Sequence, residues 1–331
     1  MIASYIAKRT GMMLVVVILA VTVNFLIPRA MPGDPVETMI SQISAQGGSS
    51  SNMQAMVESY QAKFGLDQPL WQQYLNYLNG LLHLDLGYSV SHYPASVVEV
   101  IGTGVLWTVG LLGASTLISF TIGTLLGGLM AWPRTGKLVR VFAVPLLMLS
   151  AIPYFVLGLV LLFLFAIVWK FFPASGGYPY SLNLGFNAES IKGILWHATL
   201  PALSIILTTI GSWAISMRGM VVSVLGEDYI ALANAKGLKR WRIFLAYGLR
   251  NAMLPQFTHL GLALGHVVSG AILVEVIFAY PGVGYDLYQA IQNNDYFVIQ
   301  GIVLLLSVSI AVTMFILDLV YPLIDPRIAL R

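Results

Sequence analysis

No cysteine occurs in these 331 residues, and only 9% of them are charged. The first absence removes a disulfide framework, a thiolate metal site and a cysteine nucleophile. The second removes an ordinary soluble domain, in which about 25% of residues carry charge. A phosphate-cradling loop is missing too: the pair Gly136-Lys137 runs into Leu138 rather than Ser or Thr, so the chain is not expected to hydrolyse nucleotide. There is no HExxH and no Ser/His/Asp set that converges at one membrane depth. What is present is apolar. At 58% hydrophobic, with a mean hydropathy of +0.82, the chain reads as an all-α, multi-span membrane protein built as one transmembrane domain over residues 1–331. A net charge of +3 is small, and no nucleic-acid partner is expected.

Lys8 and Arg9 precede an apolar run from Gly11 to Ile27 that resembles a signal peptide, but no small-x-small cleavage site follows. It is therefore read as a retained first span. Residues 30–98 form the longest polar region, with a Gly/Ser patch at Gly47–Ser51. A helix over Met53–Phe64 is expected to end on Gly65 as a left-handed cap. Asp67 is placed to cap the next helix, with Pro69 in its first turn. That helix carries Leu70, Trp71, Tyr74, Leu75, Leu78, Leu81 and Leu82 as one apolar stripe, suited to a membrane surface or to the spans. Further spans are expected over Ile101–Ala131, Val141–Phe172, Leu200–Leu225, Phe257–Phe278 and Tyr296–Tyr321. The second of these contains Pro145 and Pro153 and reads as one kinked span or two short ones.

Lysine and arginine decide between them. With the N-terminus inside, only Arg29, Lys63, Lys170 and Lys192 face out, and the other basic residues face in. Residues 132–140 are basic and 173–198 are not, so an odd number of crossings separates them, most simply one. The result is six spans, both termini cytoplasmic, each run meeting the roughly 20 residues needed to cross hydrocarbon. Residues 30–98 are then external and 223–255 form a cytoplasmic loop.

Few side chains are equipped for chemistry. His259 and His266, seven apart, share a face of the fifth span; without a third ligand they read as a helix contact rather than a metal site. Glu275 near the outer end of that span and Asp318 near the inner end of the sixth are candidate pathway or structural groups. Both stand close enough to an interface to be solvated or paired, and Asp318 shares its end with Arg218. Glycines at 102, 104, 110, 113, 123, 127, 128, 261, 265 and 270 are expected to let helices pack closely.

The stretch Glu227–Pro255 is more informative. Glu227-Asp228 suits a helix N-terminus. Tyr229, Leu232 and Ala233 share a face, Ala231, Ala233 and Ala235 keep the helix slim, and Lys236-Gly237 closes it. A helix of about ten residues, roughly 15 Å, is marginal alone and implies docking. A basic loop required by topology alone would account for the Lys and Arg residues. It would not account for a capped slim helix, a Gly break, and a second helix with Trp241, Phe244, Leu245 and Leu249.

The segment DYIALANAKGLKRWRIFLAYGLRNAMLP resembles the cytoplasmic loop of the dipeptide/oligopeptide/nickel branch of bacterial ABC importer permeases. So do Met31-Pro32-Gly33-Asp34-Pro35, FGLDQPLWQQYLNYLNGLLHLDLGYS at 64–89, FPASGG at 172–177, LPALS at 200–204, VEVIFAYPGVG at 274–284 and DPRI at 325–328. The similarity runs the length of the chain, and its large external segment after the first span resembles the first-permease type. That resemblance implies a type I importer permease fold in the bacterial inner membrane. Its partners would be a second homologous permease subunit, two cytoplasmic ATPase subunits holding ATP and Mg, an external substrate-binding protein, and the lipid bilayer. The chain would bind no cofactor and catalyse nothing. Residues 227–237 would be the helix that enters a groove on an ATPase, although Ala231-Leu232-Ala233 stand where the wider superfamily has Glu-Ala-Ala. Peptides are the implied cargo, with oligosaccharides, opines or nickel as alternatives. The reading from another class is a secondary transporter using Glu275 or Asp318 without an ATPase.

Overall fold

Apolar stretches this long satisfy their backbone polar groups within lipid only by forming helices or closed barrels. In a computed structural model of the protein they are helices, and the described residues hold no strand beyond an isolated antiparallel bridge between Tyr88 and Ser96. The structure describes residues 2–30, 53–132, 136, 141, 144–145, 147–179, 182, 185, 187–265, 267 and 271–324. Met31–Pro35, Gly47–Ser51, Arg134, Lys137, Arg140, His266, Gly270, the tail Asp325-Pro326-Arg327 and Arg331 lie outside them. Two compact units result: residues 1–107 with 281–331, and residues 108–280.

The first unit is built on α1 (Ile2–Ala30) paired with α11 (Tyr296–Ile324). Polar contacts pin the pair at both ends. Asn24 Nδ2 donates to the Gln300 carbonyl at 2.7 Å, and Arg9 pairs with Asp318 at 3.0 Å. Asp318 thus has a basic partner within its own unit. Arg9 lies on the helix packed directly against it, and the Tyr5 hydroxyl donates to the Asp318 carbonyl at 2.9 Å. Arg218 is exposed on its own helix in the second unit.

Helix α2 (Met53–Lys63) ends on Gly65 at φ +66, the left-handed cap expected there. The N-terminus of α3 (Leu70–Leu82) differs from expectation. Pro69 is its cap residue and no side chain caps it, Asp67 included; the Pro69 carbonyl takes the amides of Gln72 and Gln73 instead. Tyr74 and Tyr77 of α3 pack on Phe25 of α1, with centroids 5.0 and 5.7 Å away, while Leu70, Trp71, Leu75 and Leu82 stay exposed. The stripe therefore divides between a face packed on α1 and a face left exposed. The start of α4 (Val97–Ala131) meets α10 (Val283–Gln292) and α11 in a core of Val97, Ile101, Val283, Val298 and Ile302. Asp295, fully buried, begins α11: its Oδ1 accepts the Val298 amide, and its Oδ2 accepts from Ser89 Oγ, Ser91 Oγ and Ser91 N at 2.6–2.9 Å.

In the second unit the remainder of α4 packs on α6 (Ala188–Leu225) through glycines. A Cβ at Gly127 would lie 2.2 Å from the Ala214 carbonyl oxygen, and one at Gly123 would lie 2.6 Å from that of Ile210. Gly110, Gly113 and Gly261 meet nothing within 4 Å, so the close-packing role assigned to all the glycines belongs to a subset.

Between 141 and 172 the continuous span gives way at Pro153. Its ψ of 136° is extended, and α5 (Tyr154–Val168) starts afresh behind it, with Leu162–Val168 π-helical. A proline cannot donate to the turn before it and pushes its predecessor out of the α region. The span expected at 257–278 is also interrupted. Helix α8 opens at Arg240–Arg242, runs through a π-helical stretch Ile243–Leu249 and ends with Arg250–Gly265. Ala271 then leaves helical geometry (φ −107°, ψ 65°) before α9 (Ile272–Ile277). Among the described residues, four helices are long and apolar enough to cross a membrane: α1, α4, α6 and α11.

Candidate functional site

The segment singled out at 227–237 forms a discrete helix, α7 (Asp228–Ala235), directly after the end of α6. Glu227 is its N-cap in extended geometry (φ −77°, ψ 149°), and its carbonyl, not its side chain, receives the amides of Ile230 and Ala231. The C-terminus closes by a reciprocal pair of backbone bonds. The Gly237 amide donates to the Asn234 carbonyl at 2.9 Å, and the Leu238 amide reaches back to Ala233 at 3.3 Å. Gly237 stands at φ +70, so these six residues make a Schellman close. A left-handed backbone is why glycine is needed there.

Two residues dock α7 on its own chain. Ile230 (4% exposed) and Ala233 (3%) join Ile243 of α8 in a buried cluster, flanked by Leu225, Leu238 and Tyr247. Asn251 Nδ2 of α8 donates to the Tyr229 hydroxyl at 3.1 Å and to the Tyr247 carbonyl at 2.9 Å. The face anticipated from Tyr229, Leu232 and Ala233 therefore splits. Ala233 turns inward with Ile230, and Leu232 is 56% exposed. Spacing around a helix puts Asp228, Ala231, Leu232 and Ala235 together on the side opposite the docked one, and all four are exposed, as are Glu227, Lys236 and Gly237. Ile230 was missed by sequence reasoning, although its i, i+3 relation to Ala233 is the ordinary signature of a packed face.

Behind α7, Phe244 of α8 is buried with Met217 and Val221 of α6 and Ala252. Trp132 packs on Phe244 with the rings tilted and their centroids 4.5 Å apart, and Trp241 stays 57% exposed. One turn further on, Gln256, wholly buried, joins three helices. Ser216 Oγ of α6 donates to its Oε1 at 3.1 Å, and its Nε2 donates to the Trp213 carbonyl of α6 at 3.2 Å and to Thr124 Oγ1 of α4 at 3.5 Å. Ile243, which packs on α7, and Gln256, which is bonded to α4 and α6, thus belong to the same helix.

Of the two alternatives for Glu275, solvated or paired, the structure shows a buried and hydrogen-bonded carboxyl. It is fully buried in α9, and Thr108 Oγ1 of α4 donates to its Oε1 at 2.7 Å. The turn after it is tied down as well: the Tyr280 amide donates to the Glu275 carbonyl and the Gly176 amide to that of Phe278. Replacing Glu275 by alanine should cost about 1–3 kcal/mol of stability by removing the buried bond from Thr108, whereas glutamine should keep most of it. Thermal unfolding of the purified chain in detergent reads the difference. His259 is exposed, and among the described residues no three His, Cys, Asp or Glu side chains gather as metal ligands.

Two family models match the chain: "Binding-protein-dependent transport system inner membrane component" over residues 122–330, and the N-terminal component of such systems over residues 1–99. The chain is 35% identical to the dipeptide transport system permease protein DppB of Escherichia coli K12, over 98% of both chains. It is 34% identical to the di/tripeptide transport system permease protein DppB of Pseudomonas aeruginosa, again over 98% of each. The oligopeptide transport system permease protein AppB of Bacillus subtilis is 32% identical, over 98% of this chain and 99% of that one.

Proposed function

From the membership of this chain in the binding-protein-dependent transport system inner membrane components, we propose that it is a permease subunit of an ATP-driven importer of di- and oligopeptides. It lies in the bacterial inner membrane as a multi-pass protein with six crossings and cytoplasmic ends, the broken helices α5 and α8–α9 completing the set begun by α1, α4, α6 and α11. It forms half of the pathway with a second, homologous permease. An external binding protein delivers the peptide, and two ATPase subunits, which hold ATP and Mg, supply the energy. The chain itself catalyses nothing and binds no cofactor.

The observation that carries the coupling is the two-sidedness of α7. Ile230 and Ala233 secure it to α8, and the face of Asp228, Ala231, Leu232 and Ala235 is left uncovered, slim enough to enter a groove on an ATPase. Glu227, Tyr229, Lys236 and Gly237 border that face. Nucleotide acts through its different affinity for the two states of the assembly, and α7 passes the change through Ile243 to Gln256 and the spans.

The test is reconstitution in proteoliposomes with the cognate permease, ATPases and binding protein. Uptake of a labelled dipeptide is expected only with ATP inside and all partners present. Uptake from this chain alone, following an ion gradient, would overturn the reading. The departure from helical geometry at Ala271, just before α9, is the observation that favours such a carrier. In a carrier that moves ions through Glu275, Glu275→Gln abolishes transport; in the importer it leaves ATP-driven uptake largely intact.

A further inference from the structure

At the outer end of α1, helix α3 and the loop after it enclose a cavity of 190 Å³. Its cationic wall is Arg29. The guanidinium lies over the Phe25 ring, 3.6 Å from its centroid, donates through Nε to Gln73 Oε1 at 3.0 Å, and through Nη1 to the Phe25 carbonyl at 3.0 Å. Gln73 is itself immobilised, its Nε2 donating to the carbonyls of Leu66 (3.2 Å) and Gln68 (2.8 Å), which fixes the oxygen that holds the arginine. Two of the five guanidinium N–H donors are thus used for aiming, and no carboxylate among the described residues lies within ion-pairing distance of it. An arginine locked in orientation, with donors to spare, is built to receive a carboxylate.

The opposite charge in the same cavity is Asp85. Its loop is closed onto α3 where a Cβ at Gly80 would lie 2.6 Å from the Asp85 carbonyl, and the Asp85 amide returns a bond to Gly80 at 2.9 Å. Its Oδ1 accepts the Gly87 amide at 2.9 Å. Asn76 and Tyr77 add neutral polar groups to the same lining. At about 30 Å³ per water, the space suits a molecule of few heavy atoms carrying both charges.

We propose that this cavity binds a small amino-acid-type zwitterion, its carboxylate on Arg29 and its ammonium on Asp85. As a staging site for cargo this rests on the peptide-importer reading, whereas the binding itself does not.

The experiment is calorimetric titration of the full chain in lipid nanodiscs with glycylglycine, glycylglycinamide and N-acetylglycylglycine, and with glycine to separate a peptide from a free amino acid. Glycylglycine or glycine is expected to bind saturably at one site, and the amide and the acetylated peptide about tenfold more weakly. Arg29→Lys, which keeps the charge and loses the planar fork, should weaken binding about tenfold. Asp85→Asn should erase the discrimination against N-acetylglycylglycine. Equal binding of acid and amide, an unchanged affinity in Arg29→Lys, or no saturable heat each overturns the site. Thermal midpoints of both variants separate loss of binding from loss of fold. Binding with these preferences in a chain that fails to import peptide retains the site and removes the importer reading; ATP-driven uptake without binding does the reverse.

Discussion

Proline at Gly237 should reduce ATP-driven uptake at least about tenfold while the partner ATPases continue to turn over. The position stands at φ +70, and the pyrrolidine ring holds φ near −65°. The substitution also deletes the amide that donates to Asn234 and disturbs the neighbouring bond from Leu238 to Ala233. An eight-residue helix has little stability of its own, so losing the bonds that close its C-terminus undoes it. Gly237 is exposed, and a Cβ there meets nothing within 4 Å. Alanine therefore costs only the left-handed backbone, about 1 kcal/mol, and should give an intermediate rate. A bulky residue at Ala233 reaches the same end differently, by overpacking the cluster with Ile230 and Ile243. Uptake and ATP hydrolysis measured in the same proteoliposomes check the prediction; unimpaired uptake with proline would sink the assignment of α7.

Leucine at Gly127 should remove most of the folded chain from the membrane. Its Cβ would fall 2.2 Å from the Ala214 carbonyl oxygen and 2.9 Å from the Ala214 carbonyl carbon and Cα. These are backbone atoms of a second long helix, which no rotamer change can move aside. Gly123, one turn earlier, makes the same kind of contact with Ile210 and Trp213, so the two helices cannot separate at one point alone. The expected cost is about 3 kcal/mol or more, at the upper end for overpacked cores. Chain recovered in the membrane fraction and thermal unfolding in detergent provide the measurement. Gly110→Ala, on the same helix but with nothing within 4 Å, is the control and should leave the chain's own stability close to unchanged.

Much of the helical layout was legible because its causes are local. Long apolar runs at 2–30, 97–131 and 296–324 become helices wherever they sit. Gly65 and Gly237 close helices because only a residue without Cβ takes positive φ freely. Local reasoning failed where a neighbour from far along the chain intervened. Asp318 pairs with Arg9, 309 positions away, because α1 lies along α11. Glu275 is buried because Thr108 of α4 meets it, and that pairing leaves no mark in the residues around either. The departure from helical geometry at Ala271 is not announced by any proline, and hydropathy alone runs straight through it.

The sequence by itself determined the class of protein and the position and caps of the helix at 228–235. Composition, spacing and single-residue backbone preferences act within a few residues of where they are written. The tertiary structure alone decided which side of that helix is spent. Tyr229, Leu232 and Ala233 share a stripe by spacing, but the positions of Ile243 and Tyr247 on α8 draw Ile230 and Ala233 inward and leave Leu232 out. A helix of period 3.6 offers several apolar stripes of similar quality, and only the surface it packs against selects among them.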